Sequence, residues 1–269
     1  MQEGGCYSRE KEVVLLGAPR EETYVFRSEN KLKLFDVDYH IFQGAIKRFG
    51  YRDNLNSEQM KTIRREIKLN VEDMNEQKHS PFAIVYKDEH FFFIEKRHTV
   101  YNLLKLGFML CQFPSVEDQE LEMWHLINPR LDETVSKGTV EMFLRDLIYV
   151  ALDMNINILK AGDENEHPEK PKALQYLEEA AEKREIFMTQ RMKRFKNDYV
   201  TRDELAACTR DCFFQSYRLR LAISGCQAGF IDYSNLNNND KSSNPSPSRI
   251  NNQMTPNGPT QQNLPKFKK

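Results

Sequence analysis

Apolar positions recur at helical intervals over most of this chain. From Val140, residues Phe143, Leu144, Leu147, Ile148, Ala151 and Leu152 follow at steps that place them on one face of an α-helix. Val100, Leu103, Leu104, Gly107, Phe108 and Cys111 repeat the spacing, and Leu106, Met109 and Leu110 make the other faces apolar too. A helix apolar all round is a central one, enclosed by neighbours. A helix over Val116 to Ile127 carries Leu121 and Trp124 inward and ends near Pro129, because proline disfavours the helical conformation in the residue before it. Stripes in Leu34 to Phe49 and in Glu58 to Leu69 predict two more helices. Long helices are expected over 173–195, with Leu174, Leu177, Ala181, Met188, Met192 and Phe195 on a seam interrupted by Arg184, and over 203–223.

Other stretches break this rhythm. Thr23-Tyr-Val-Phe26 reads as a brief extended piece of an N-terminal arm. Ser80 to Ile94 is aromatic-rich; Ile84-Val85-Tyr86 and Phe91 to Ile94 fit a hairpin, although helical packing is the preferred reading. Gly162, Pro168 and Pro171 mark a linker. From Ser234 to Lys269 the chain holds nine Asn and three Gln and few apolar residues, too little to offset its ordering entropy, so disorder is expected there. The expected organisation is all-α: an extended arm over 1–30, a helical lobe over 31–160, a linker over 161–172, a smaller helical lobe over 173–230 and a disordered tail over 231–269.

Composition narrows the partners. The chain has 269 residues, with 39 Lys and Arg against 40 Asp and Glu, so no basic excess suggests nucleic acid or an anionic membrane surface. No run approaches the ~20 apolar residues of a membrane span, and the first residues carry no secretory pattern. Five cysteines without a paired framework suit a reducing compartment. These features lead us to expect a cytoplasmic protein.

One local grammar appears three times: a helix end, a short polar loop, one aliphatic residue, a Ser/Thr-containing cap (Ser57, Ser136, Thr201) and a second helix. The windows centre on Leu55, Val135 and Val200, and in the third Thr201 with Glu204 spells a capping box. The pattern resembles the EF-hand family, of calmodulin type, in which that aliphatic residue pairs with a sister loop. The resemblance implies two lobes of helix-loop-helix pairs. A calcium loop needs oxygen ligands at its first, third, fifth and twelfth positions, the last a bidentate Glu, and Gly at the sixth. Counting from Val135, these are Asn128, Arg130, Asp132 and Thr139, with Glu133 at the sixth. From Val200 they are Lys193, Phe195, Asn197 and Glu204; from Leu55, Arg48, Gly50, Arg52 and Gln59. No loop keeps a full oxygen set, so calcium-free pairs are expected, with no cofactor and no metal.

The remaining constellations are weaker. Glu122 and His125 form a Glu-x-x-His pair on a helix, the type from which an iron or manganese enzyme site would be built. Cys208 and Cys212, one turn apart, read as small core residues. Arg191, Lys193, Arg194 and Lys196, with Arg184 upstream, form the densest basic cluster and read as a solvated helix face. Ser246-Pro247 and Thr255-Pro256 are candidate phosphorylation sites beside the basic stretch Lys266-Phe-Lys-Lys269. The expected function is therefore non-catalytic: an interaction or scaffold protein gripping a partner helix or cytoskeletal assembly, by analogy cytoskeletal or ciliary, through Trp124, Phe143, Leu147, Met188 and Met192. The alternatives are a calcium-responsive regulator and a metal-dependent enzyme using Glu122 and His125.

Overall fold

A computed structural model describes residue 15 and residues 17–50, 54–69, 81–95, 97–161 and 167–226, all within one compact unit spanning 1–231. The tail expected over 231–269, its phosphorylation sites and the first residues of the expected arm lie outside the described residues. The described residues are mostly helical. In chain order they form α1 (Arg20–Asn30), a 3-10 turn (Leu34–Asp36), α2 (Tyr39–Phe49), β1 (Asn54–Leu55), α3 (Ser57–Glu66), α4 (Pro81–Tyr86), β2 (Phe93–Ile94), β3 (Arg97–Thr99) and α5 (Val100–Leu110). There follow α6 (Val116–Ile127), β4 (Val135–Ser136), α7 (Lys137–Ala151), α8 (Asp153–Ala161), α9 (Lys170–Glu182), α10 (Arg184–Met192), β5 (Tyr199–Val200), α11 (Arg202–Thr209) and α12 (Ser216–Ser224).

Short polar side chains start these helices where their first N–H groups need acceptors. Asp38 Oδ1 accepts from the His40 and Ile41 amides ahead of α2, Ser115 Oγ from Asp118 ahead of α6, and Ser136 Oγ from Thr139 ahead of α7. Capping boxes open α3 (Asn56 with Gln59) and α11 (Thr201 with Glu204).

α5 sits at the centre, against α2, α6 and α7. Its Leu103, Leu106 and Phe108 are fully buried, as an all-apolar helix requires. Gly107 lets α2 approach: a Cβ there would fall on the Phe42 ring. α7 turns its Phe143, Leu144 and Leu147 inward.

Four expectations need correction. Thr23 to Phe26 lie inside α1, a helix whose Val25 and Phe26 are buried, not in an extended arm. The helix expected over 34–49 is a 3-10 turn followed by α2, separated by extended Val37 and the Asp38 cap. The helix expected over 173–195 is two, α9 and α10, joined at Lys183, and Arg184, the break in the apolar seam, turns to form a two-pronged ion pair with Asp153 at 2.9 Å. The helix expected over 203–223 is also two, α11 and α12, around a turn at 210–215. Of the hairpin considered over 84–94, Ile84 to Tyr86 are helical, while Phe93 and Ile94 do enter a hairpin, with Arg97 and His98 as partners.

Candidate functional site

Four helix-loop-helix units organise most of the described chain. The first is α2–β1–α3, the second α4 to α5 through β2 and β3, the third α6–β4–α7 and the fourth α10–β5–α11. They join two by two through very short antiparallel strands. In one join Leu55 faces His98 and Asn54 faces Thr99; in the other Val135 faces Val200 and Ser136 faces Tyr199. The Lys137 amide extends the second join by donating to the Asp198 carbonyl at 2.7 Å. This join crosses the 161–172 segment, linking a strand before it to one after it.

The second unit escaped the sequence reading because its central residue is His98 where the other three have Leu55, Val135 and Val200. Counted from His98, its first position is Phe91 and its twelfth Asn102. His98 is 2% exposed, set between Tyr86 and Phe93 with ring centroids 6.1 and 4.8 Å away. Burial pushes its pKa down to about 4, so the ring is neutral at pH 7.

All four twelfth-position side chains are engaged within their own loops. Gln59 Nε2 donates to the Phe49 carbonyl at 2.9 Å, and Asn102 Nδ2 donates to the Phe91 carbonyl at 2.7 Å. Thr139 Oγ1 lies 2.8 Å from Ser136 Oγ. Glu204 accepts from the Thr201 amide at 2.9 Å and the Thr201 hydroxyl at 3.0 Å, and the backbone bond holds its carboxyl below the usual carboxylate range. In the first two loops a neutral amide donates where a bidentate carboxylate would face a cation.

Two further side chains close the third and fourth loops. Asn128, 2% exposed, donates to the Asp132 carbonyl at 2.6 Å and accepts from the Asp132 amide at 3.1 Å. That pair of hydrogen bonds across four residues encloses the tight turn in which Leu131 takes a φ of 58°. Lys137 reaches across the join: its ammonium donates to the Phe195 carbonyl of the fourth loop at 2.8 Å. A fixed positive charge thus stands on an oxygen of that loop.

The five residues expected to grip a partner lie elsewhere. Trp124, Phe143, Leu147, Met188 and Met192 are all buried, between 0% and 8% exposed, and of the five Met188 lines a surface pocket, beside Arg145, Tyr149 and Arg184. Helical periodicity identifies an inward face but does not tell whether a neighbouring helix already covers it. Among the described residues the large apolar side chains left exposed are Ile41, Ile94 and Tyr101 on the first and second units, and Val116, Leu131 (67%), Met142 (71%), Ile186 (45%) and Tyr199 (65%) on the third and fourth. Exposure at isolated loop and helix positions has no periodic signal.

Glu122 and His125 are in contact, Nδ1 to Oε1 at 3.3 Å, but the other Glu122 oxygen accepts from Gln43 Nε2 at 2.7 Å. Among the described residues no three His, Cys, Asp or Glu side chains come together in a metal-binding arrangement. Cys208 and Cys212 are buried in the core, and burial raises both thiol pKa values. Of the basic cluster, Lys193, Arg194 and Lys196 are exposed, whereas Arg191 is 4% exposed and paired with Asp211 at 2.7 Å, with Phe187 under its guanidinium at 5.0 Å.

A cluster of buried charges lies away from the loops. Arg220, fully buried on α12, bonds Glu22 and Glu29 of α1, the Ser216 hydroxyl and the Ala151 carbonyl. Asn155 of α8 adds a bond to Glu29 at 2.8 Å, so this cluster ties α1, α7, α8 and α12 together. Another buried cation, Lys105, pairs with Asp146 and lies 3.6 Å from the Tyr101 ring centroid. Comparison of the chain with protein-family models, with curated proteins and with solved structures gives no match. No helix among the described residues is long and apolar enough to cross a membrane.

Proposed function

We propose that this protein is a non-catalytic interaction or scaffold protein built from EF-hand-like helix-loop-helix pairs that are set without calcium. The observation that carries the reading is the Lys137 ammonium on the Phe195 carbonyl, a resident cation at the join between the third and fourth loops. The amides of Gln59 and Asn102 support it, since each ties its loop by donating a proton rather than by awaiting an ion. A pair whose helix directions do not depend on an ion offers a constant surface, which is the property a fixed connector needs. The partner-facing residues in this reading are Leu131, Met142, Ile186 and Tyr199, and the partner is a protein segment with an apolar face. A cytoskeletal or ciliary assembly is the setting that analogy with calcium-free members of the EF-hand family offers.

Calorimetric titration tests the first part. No heat of calcium binding is expected at micromolar concentrations, and a saturable micromolar site would replace this reading with that of a calcium-responsive regulator. The surface is tested by purification from native cells in parallel with Met142→Asp and Tyr199→Asp. One protein is expected to be retained by the unmodified chain and lost from both variants. Retention by both variants refutes the surface.

A further inference from the structure

The segment 193–202 runs from the end of α10 through β5 into α11. Its path is fixed from inside. Phe195 and Val200 are buried, Arg191 in the last turn of α10 pairs with Asp211, Lys137 holds the Phe195 carbonyl, and the capping box of Thr201 with Glu204 starts α11. Val135 and Val200 turn inward at the join, so their neighbours Ser136 and Tyr199 point to the other side of the ribbon, and Tyr199 is 65% exposed.

Charge sets this loop apart. Lys193, Arg194, Lys196 and Arg202 are all exposed and stand against the single carboxylate of Asp198, a net +3. Arg194 lies 3.8 Å from Asp211, while among the described residues no carboxylate pairs with Lys193, Lys196 or Arg202. The facing loop, 128–139, is neutral, with Arg130 and Lys137 balancing Asp132 and Glu133. Residues 227–269 carry a net +3 and the whole chain −1, which leaves −4 on residues 1–226 and −7 on those residues without the loop. An acidic ligand is therefore repelled by most of this unit and attracted at one place, which orients it before contact. Tyr199 adds a rigid amphipathic ring for an apolar side chain. A nucleic-acid strand fits less well, because its phosphates would run past a short patch that itself contains Asp198 and onto acidic surface.

We propose that 193–202 binds an acidic peptide segment of the partner protein, its carboxylates on Lys193, Lys196 and Arg202 and one apolar side chain on the Tyr199 ring. The proposal rests on the reading of Tyr199 as partner-facing and adds the partner's chemistry to it. Because the backbone of the loop is held at Phe195, Val200 and Thr201, little ordering is left for binding to supply.

The test is fluorescence anisotropy of a labelled probe peptide, six Glu and Asp residues around a central Leu-Phe, titrated with the full chain. Saturable binding is expected below about 0.1 mM protein in about 50 mM salt, weakened at least ~10-fold in about 0.3 M salt, which shortens the range of surface charge. Lys193→Glu with Lys196→Glu should weaken binding at least ~10-fold, and the same charge change at exposed Lys87 and Lys172 should leave it within ~2-fold. Tyr199→Ser should cost at least ~3-fold, with Tyr199→Phe restoring the affinity. Every substituted side chain is exposed, and thermal unfolding checks that each variant is folded. No saturable binding in that range, equal losses in the two double variants, no effect of Tyr199→Ser, or tighter binding of a labelled oligouridylate than of the peptide would overturn the proposal. The calcium titration separates the two readings. A chain that binds micromolar calcium and still holds the probe through Lys193 and Lys196 loses only the calcium-free reading, and one that binds neither calcium nor the probe loses only this proposal.

Discussion

Lys137 and Phe195 are 58 positions apart in sequence, yet the ammonium of one donates to the carbonyl of the other at 2.8 Å. The bond spans the join in which Val135 faces Val200, so it ties the exit of one loop to the interior of the next. Lys137→Ala should leave that carbonyl without its charged donor and cost about 1.5–3 kcal/mol. Urea unfolding at pH 7 reads the effect, and an unchanged midpoint would show that water replaces the ammonium without loss.

The buried His98 ring sets a sign for acid sensitivity. Its folded pKa, about 4, lies below the ordinary value of 6.5, so between these values the unfolded chain binds the extra proton. Stability from this group is fully present above pH 6.5 and falls as pH drops toward 4, by up to about 3 kcal/mol. His98→Val, the residue type of the corresponding positions 135 and 200, should flatten that slope. Unfolding curves from pH 7 to 4.5 for both proteins make the comparison.

Arg220 holds two carboxylates that have no contact with water. Arg220→Met should destabilise by about 3–5 kcal/mol, because Glu22 and Glu29 are then left buried without their cation. Adding Glu22→Leu and Glu29→Leu should restore most of the loss, since an apolar replacement of a whole buried ion cluster is often close to neutral. Failure of the triple variant to regain stability would mean that the cluster sets the packing of α1 itself.

Gly107 marks the closest approach of α5 to α2. Gly107→Ala places a methyl group on the Phe42 ring and should cost about 1–3 kcal/mol. Phe42→Leu in the same chain should reduce that cost, and the coupling between the two is measured by a double-mutant cycle.

Trp124 and Phe143 belong to the core and not to an open groove. Each change to Ala should cost about 3–5 kcal/mol in thermal or urea unfolding. Unaltered melting of either variant would contradict its burial.

The linear pattern of residues determined the helices of the middle of the chain and three of the four loops. Those features rest on local causes: apolar spacing, a hydroxyl or carboxamide cap, and a proline stop act within one or two turns. The aliphatic positions Leu55, Val135 and Val200 were legible because each is followed by its own capping residue. Tertiary structure alone decided the rest. The second unit was hidden because His98 is apolar in effect only once Tyr86 and Phe93 enclose it, and α1 was misread because Glu22 and Glu29 look like surface residues until Arg220, almost two hundred positions away, neutralises them. The breaks at Lys183 and at 210–215 were invisible for the same reason. Periodicity reports which side of a helix faces inward, whereas the bonds that end a helix or cover its apolar face come from residues that only folding brings near.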